Sequence, residues 1–94
     1  MQVQPQTAQL SRILGQPPET LDGDAAARAA IERHADELAN AFFHEAADSD
    51  DVTSVESAED YLQVRLDFFG DLVTETAADR IRERFSELVA RWER

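Results

Sequence analysis

Residues 57–73, SAEDYLQVRLDFFGDLV, decide the fold of this 94-residue chain. On a wheel of about 3.6 residues per turn, Leu62, Leu66, Phe69 and Val73 fall in one apolar row. Tyr61, Val64, Phe68 and Leu72 form a second row, rotated by about 100°. Glu59, Asp60, Gln63, Asp67 and Asp71 remain outside both. That period belongs to a helix, and one so apolar must be covered on two sides. The stretch is therefore expected as the central element of an all-α domain. Two helices, or one helix and a second chain, flank it, so the expected fold is a small three-helix bundle or a helical hairpin plus an extra helix, able to dimerise.

Working outward, a long helix is expected over 24–47, with Asp24 as N-cap after Gly23. Ala27, Ile31, Ala35, Leu38, Phe42 and Ala46 make its inner stripe, and the alanines let a neighbour approach closely. Phe43 points away from that stripe, so its ring is partly exposed or covers an interface. The run Asp48–Ser49–Asp50–Asp51 favours a turn, because these side chains compete for backbone donors. Thr53-x-x-Glu56 and Ser57-x-x-Asp60 both read as helix-start boxes, and Thr76-x-x-Asp79 as another. A last helix follows over 77–92, with Ile81, Phe85, Leu88, Val89 and Trp92 inside. Gly70 leaves open whether 57–92 is two helices or one bent helix.

The first 23 residues are the least regular. Gln2, Gln4, Gln6, Gln9, Pro5 and the Gly15–Gln16–Pro17–Pro18 run argue against a long element. Leu10, Ile13 and Leu14 supply about one apolar turn. The expected organisation is a loosely ordered N-terminal segment, 1–23, and an acidic helical domain, 24–94. So much of the apolar content is alanine that a lone core would be thin. A homodimer burying Tyr61, Val64, Phe68 and Leu72 is the expected remedy.

Charge is unevenly placed. Residues 44–79 hold eleven carboxylates and one cation, Arg65, a net of −10 within a chain total of −11. All nine cations are arginine, and five of them fall in the last fifteen residues. Arg91 and Arg94 there complement a helix C-terminus. Such a field repels nucleic acid and anionic lipid, so direct binding to either is not expected. Arg65 sits between the two apolar rows and must reach a neighbour's carboxylate or anchor an interface.

The chemistry-bearing patterns are incomplete. With no cysteine, thiolate metal sites and disulfides are excluded. A calcium loop counted from Asp48 would place Asp50, Glu56 and Glu59 at ligand positions. Its fifth and sixth positions are Val52 and Thr53 in place of a ligand and a glycine. Asp48–Ser49 is similar to the Asp-Ser pair at which carrier proteins hold a phosphopantetheine arm. Here Asp50 replaces the apolar residue that follows, and a helix is predicted where carriers have a long loop. His34 and His44 form no H-x-x-x-H or E-x-x-H pair, so the usual ways of placing two metal ligands on one helical face are absent. Neither has a visible nucleophile partner, and no phosphate-cradling glycine loop occurs. No enzyme activity, metal or cofactor is expected. Without a leader-like N-terminus or an apolar run near 20 residues, a cytoplasmic location is expected and membrane contact is not.

Three functional readings follow. The first is a regulatory protein that binds a partner protein bearing a basic surface. Its contact residues would be Asp48, Asp50, Asp51, Glu56, Glu59, Asp60, Asp67 and Asp71, with Phe43, Tyr61, Val64, Arg65, Phe68 and Leu72. The second is an inhibitor whose acid band mimics nucleic acid and fills a basic groove, as in phage anti-defence proteins. The third is a halophile's helical domain, acidic for solvation alone.

Overall fold

The computed structural model describes residues 4–92; Gln2 and Arg94, named above, lie outside the described residues. Five α-helices and no strand occur among the described residues: α1 Pro5–Leu14, α2 Asp24–Arg33, α3 Ala35–Asp48, α4 Val55–Phe69 and α5 Glu75–Arg91. Short 3-10 turns at Pro18–Leu21 and Gly70–Leu72 join them. The all-α class expected from the periodicity is the one adopted.

Helices α3, α4 and α5 form the three-helix centre, with α3 running along α5 and against α4. Leu38, Phe42, Leu62, Leu66, Phe69, Ile81, Phe85 and Val89 fill it. Ala35, Ala39, Ala46 and Ala58 are buried at 3% exposure or less, which is what allows the helix axes to close. Leu62, Leu66 and Phe69 of the first apolar row are therefore core, whereas Val73 lies beyond the end of α4 and is partly buried. No described helix is long and apolar enough to cross a membrane.

Several boundaries depart from expectation. The helix expected over 24–47 breaks at His34, whose backbone (φ −113°, ψ 30°) leaves the helical region. Two different surfaces have to be covered: α2 packs on both 3-10 turns, whereas α3 follows α5. One straight stripe cannot serve both. At the N-terminus, the single apolar turn extends to a ten-residue helix. Pro5 opens it and Gly15, at φ 66°, ends it with its N–H on Ser11 O. Leu10 and Leu21 are fully buried, so tertiary packing outweighs weak local propensity.

The caps also shift. Ser54, rather than Thr53 or Ser57, caps α4: its Oγ accepts from Ser57 N–H at 3.1 Å. Ser57 Oγ accepts in return from Ser54 N–H at 3.0 Å and from Thr53 N–H at 3.0 Å. Thr74, rather than Thr76, caps α5 through Ala77 N–H at 3.2 Å. Gly70, at φ 54°, ends α4, so 57–92 is two helices and not one bent helix.

Candidate partner-binding surface

The Ser54 cap sets the phase of α4, and that phase places Glu56, Asp60, Gln63 and Asp67 in one exposed row. The row runs over twelve residues, eleven steps of about 1.5 Å or about 16 Å of helix. Gln63 Nε2 donates to Asp67 Oδ1 at 2.9 Å, and Arg82 of α5 donates to Gln63 Oε1 at 3.4 Å. Glu59, also exposed, stands on the α5 side, beside a cleft of about 230 Å³ floored by Leu62 and Phe85.

The other predicted carboxylates are not in this row. Asp48 is the last residue of α3, and Asp50 and Asp51 are exposed in the loop that follows. Val52 pins that loop at 4% exposure, so the fifth position of the calcium frame turns into the core. Among the described residues, no group of three or more His, Asp or Glu side chains could hold a metal ion. Ser49 Oγ accepts from Asp51 N–H at 3.3 Å, the turn chemistry that accounts for this serine. Asp71 lies beyond the far end of α4, where its carbonyl accepts from Arg28 Nε at 3.0 Å.

The second apolar row of α4 divides. Val64 is 65% exposed and Phe68 36% exposed, side by side along the acid row. Tyr61 is half-buried and Leu72 is in the core. Phe43 belongs to a different face. Its ring packs edge-on against Phe85 and Trp92, at 6.1 and 5.9 Å.

Arg65 lies between the rows, tied down on three sides. Its Nη2 reaches Gln9 Oε1 of α1 at 2.5 Å and Glu45 Oε2 of α3 at 3.4 Å. The guanidinium carbon sits 5.7 Å from the Phe42 ring centre and 5.8 Å from that of Phe68. Tyr61 donates its hydroxyl to the same Glu45 oxygen at 3.0 Å. Burial, and then that carboxylate, push the Tyr61 hydroxyl above its ordinary pKa. Sequence reasoning foresaw a carboxylate partner for Arg65, but it missed Gln9, which lies in the stretch read as irregular.

Arg80 and Arg84 of α5 are occupied along the opposite seam. Arg80 grips Asp36 with two bonds, 3.0 and 3.1 Å, and Arg84 reaches Asn40 at 3.3 Å and Glu87 at 3.2 Å. The Arg80 hydrogen bond holds the Asp36 carboxyl below its usual range. A cleft of about 590 Å³ opens nearby at the α2–α3 break, lined by charges of both signs and by His34. His34 Nδ1 lies 2.9 Å from Glu37 Oε1 and its Nε2 3.3 Å from Gln16 Nε2. A neutral ring that donates to the carboxylate and accepts from the amide satisfies both contacts. Comparison with family models, curated proteins and solved structures yields no match for this chain.

Proposed function

We propose that this chain is a small acidic regulatory protein that acts by binding a partner protein through the outer face of α4, without catalysis. The observation that carries this is the pairing of Val64 and Phe68, exposed, with the carboxylate row of Glu56, Asp60 and Asp67 on one helix. Scattered exposed apolar residues are ordinary, but two adjacent ones beside a row of carboxylates support a partner-binding reading. That partner carries positive charge for steering and an apolar contact for affinity. Mimicry of nucleic acid would call for a second, parallel row of acids, and this row is flanked by Val64 and Phe68 on one side and by a single acid, Glu59, on the other.

The test is capture of binding proteins from native lysate on the immobilised chain, followed by elution over a salt series. Reversal of Glu56, Asp60 and Asp67 to lysine is compared with reversal of Glu19 and Asp22, which lie outside the acid band. Both controls are exposed and free of side-chain pairing, unlike Glu32, Asp36 and Glu37, which are engaged. A third variant combines Val64→Ser with Phe68→Ser. The reading expects the first and third sets to lose the partner at moderate salt and the control to keep it. Loss with the acid set alone favours a groove-filling mimic. Equal, small effects from every set return the acid band to solvation and overturn the reading.

A further inference from the structure

The inner side of α4 is fixed in the core by Leu62, Leu66 and Phe69, which leaves its outer face exposed from Glu56 to Phe68. From this face, and resting on the interaction reading above, we infer that the docking element of the partner is a cationic amphipathic α-helix. It lies along Glu56 to Phe68, with basic side chains against Glu56, Asp60 and Asp67 and an apolar row on Val64 and Phe68.

Three features select a helix. A helical face offers no sheet edge, so an extended segment laid on it would leave its own backbone groups without protein partners. A docking helix satisfies its backbone internally. The carboxylates follow intervals of four and seven residues, with Gln63 filling the gap, tied to Asp67 and Arg82. Basic residues spaced four and seven apart on a second helix fall in one row and meet all three acids along about 16 Å. Finally, Phe68 is already positioned. Its ring lies against Arg65, and its carbonyl accepts from Gln6 Nε2 at 3.3 Å, so little freedom is lost on docking.

Charge complementarity decides against a second copy as the occupant. Apposing two identical faces would bring each copy's Glu56, Asp60 and Asp67 to the same seam. Like charges meeting there oppose association.

The test uses synthetic peptides and the full-length chain at physiological salt. One peptide of eighteen residues carries arginines at the four-then-seven spacing with a leucine row beside them. A second has the same composition with the order scrambled. The expected result is affinity for the patterned peptide about tenfold or more above the scrambled one. The gain should vanish in the Val64→Ser/Phe68→Ser variant, and amide shifts on titration should cluster on residues 56–68. The peptide should become helical on binding. Equal affinity for both peptides, or shifts centred on α5, overturns the inference. So does a dimer in sedimentation equilibrium that dissociates in the Val64→Ser/Phe68→Ser variant. If lysate capture still depends on Val64 and Phe68 while the peptides bind alike, the helix assignment fails and the interaction reading stands. If capture is indifferent to them as well, both fail.

Discussion

Tyr61 and Glu45, sixteen residues apart, meet at 3.0 Å across the α3–α4 seam, phenol to carboxylate. The contact turns one member of the acid band inward, where Glu45 also receives Arg65 at 3.4 Å. Glu45 is thus a structural carboxylate that holds Arg65 in register beneath Phe68. The acids of α4 and the 49–54 loop are left to face solvent.

This geometry makes the phenol a reporter. Tyr61 is the only tyrosine in the chain, so its titration can be followed by ultraviolet absorbance without overlap. The native protein should ionise above the ordinary value of 10.0, and the urea-unfolded chain close to it. Glu45→Gln should bring the native value part of the way back, because burial is the larger cause and persists. The folded state holds the proton more tightly than the unfolded chain. This group's contribution to stability is therefore full below about pH 10 and is lost as pH rises through the folded value. Identical native and unfolded titrations would mean that the contact does not form in solution.

The two apolar rows of α4 should separate in denaturant titrations. Leu66→Ala or Phe69→Ala is expected to cost about 2–5 kcal/mol, the range for truncating buried side chains. In a domain this small, that loss can abolish folding. Val64→Ala, at a site 65% exposed, should change stability by less than about 0.5 kcal/mol. A loss under 1 kcal/mol at both Leu66 and Phe69 would contradict their place in the core.

The residues show where sequence reasoning succeeds and where it stops. Leu62, Leu66 and Phe69 announce a buried helix face, because a 3.6 period needs no knowledge of the neighbour. Leu72, Phe68 and Val64 share the second row, yet only Leu72 is buried. Which of them is covered depends on where α1 and α2 pack, a tertiary fact with no local signature. The break at His34 went unseen for the same reason, since neither glycine nor proline marks it. Gln9 illustrates the limit on the polar side. Nothing in a glutamine-rich segment says that one amide will meet Arg65 in α4.

Helix starts offer a sharper comparison between pattern and geometry. Ser54→Ala and Thr74→Ala should each cost about 0.5–2 kcal/mol, since each removes a side-chain acceptor from a first-turn N–H. Ser54→Ala should stand at the upper end, because Ser57 then loses its reciprocal partner. Thr76→Ala, at an exposed position inside α5, should be nearly neutral despite its capping-like spacing to Asp79. Urea midpoints for the three variants check this ordering. A larger loss at Thr76 than at Thr74 would move the start of α5.

The last expectation concerns acid, and it rests on Asp36 and Arg80. Arg80 holds Asp36 through two bonds at 3.0 and 3.1 Å, which lowers the carboxyl pKa in the folded state. The unfolded chain therefore binds this proton more readily than the native protein does. The pair's contribution is present above the ordinary carboxylate value near 3.8 and is lost as pH falls through the lowered folded value. Both side chains are substantially solvated, so the effect is small and screened by salt. Asp36→Asn should lie below the wild type in stability at neutral pH, and the gap should narrow steadily below about pH 4. Taking the difference between the two curves cancels the response of the other nineteen carboxylates. Arg80→Gln should remove most of the gap, since its hydrogen bond is the largest cause of the lowered Asp36 pKa and Arg84 adds only a lesser coulombic one. A difference that stays constant from neutral pH to pH 2 would assign the cost of Asp36→Asn to packing and remove the ion pair as its cause.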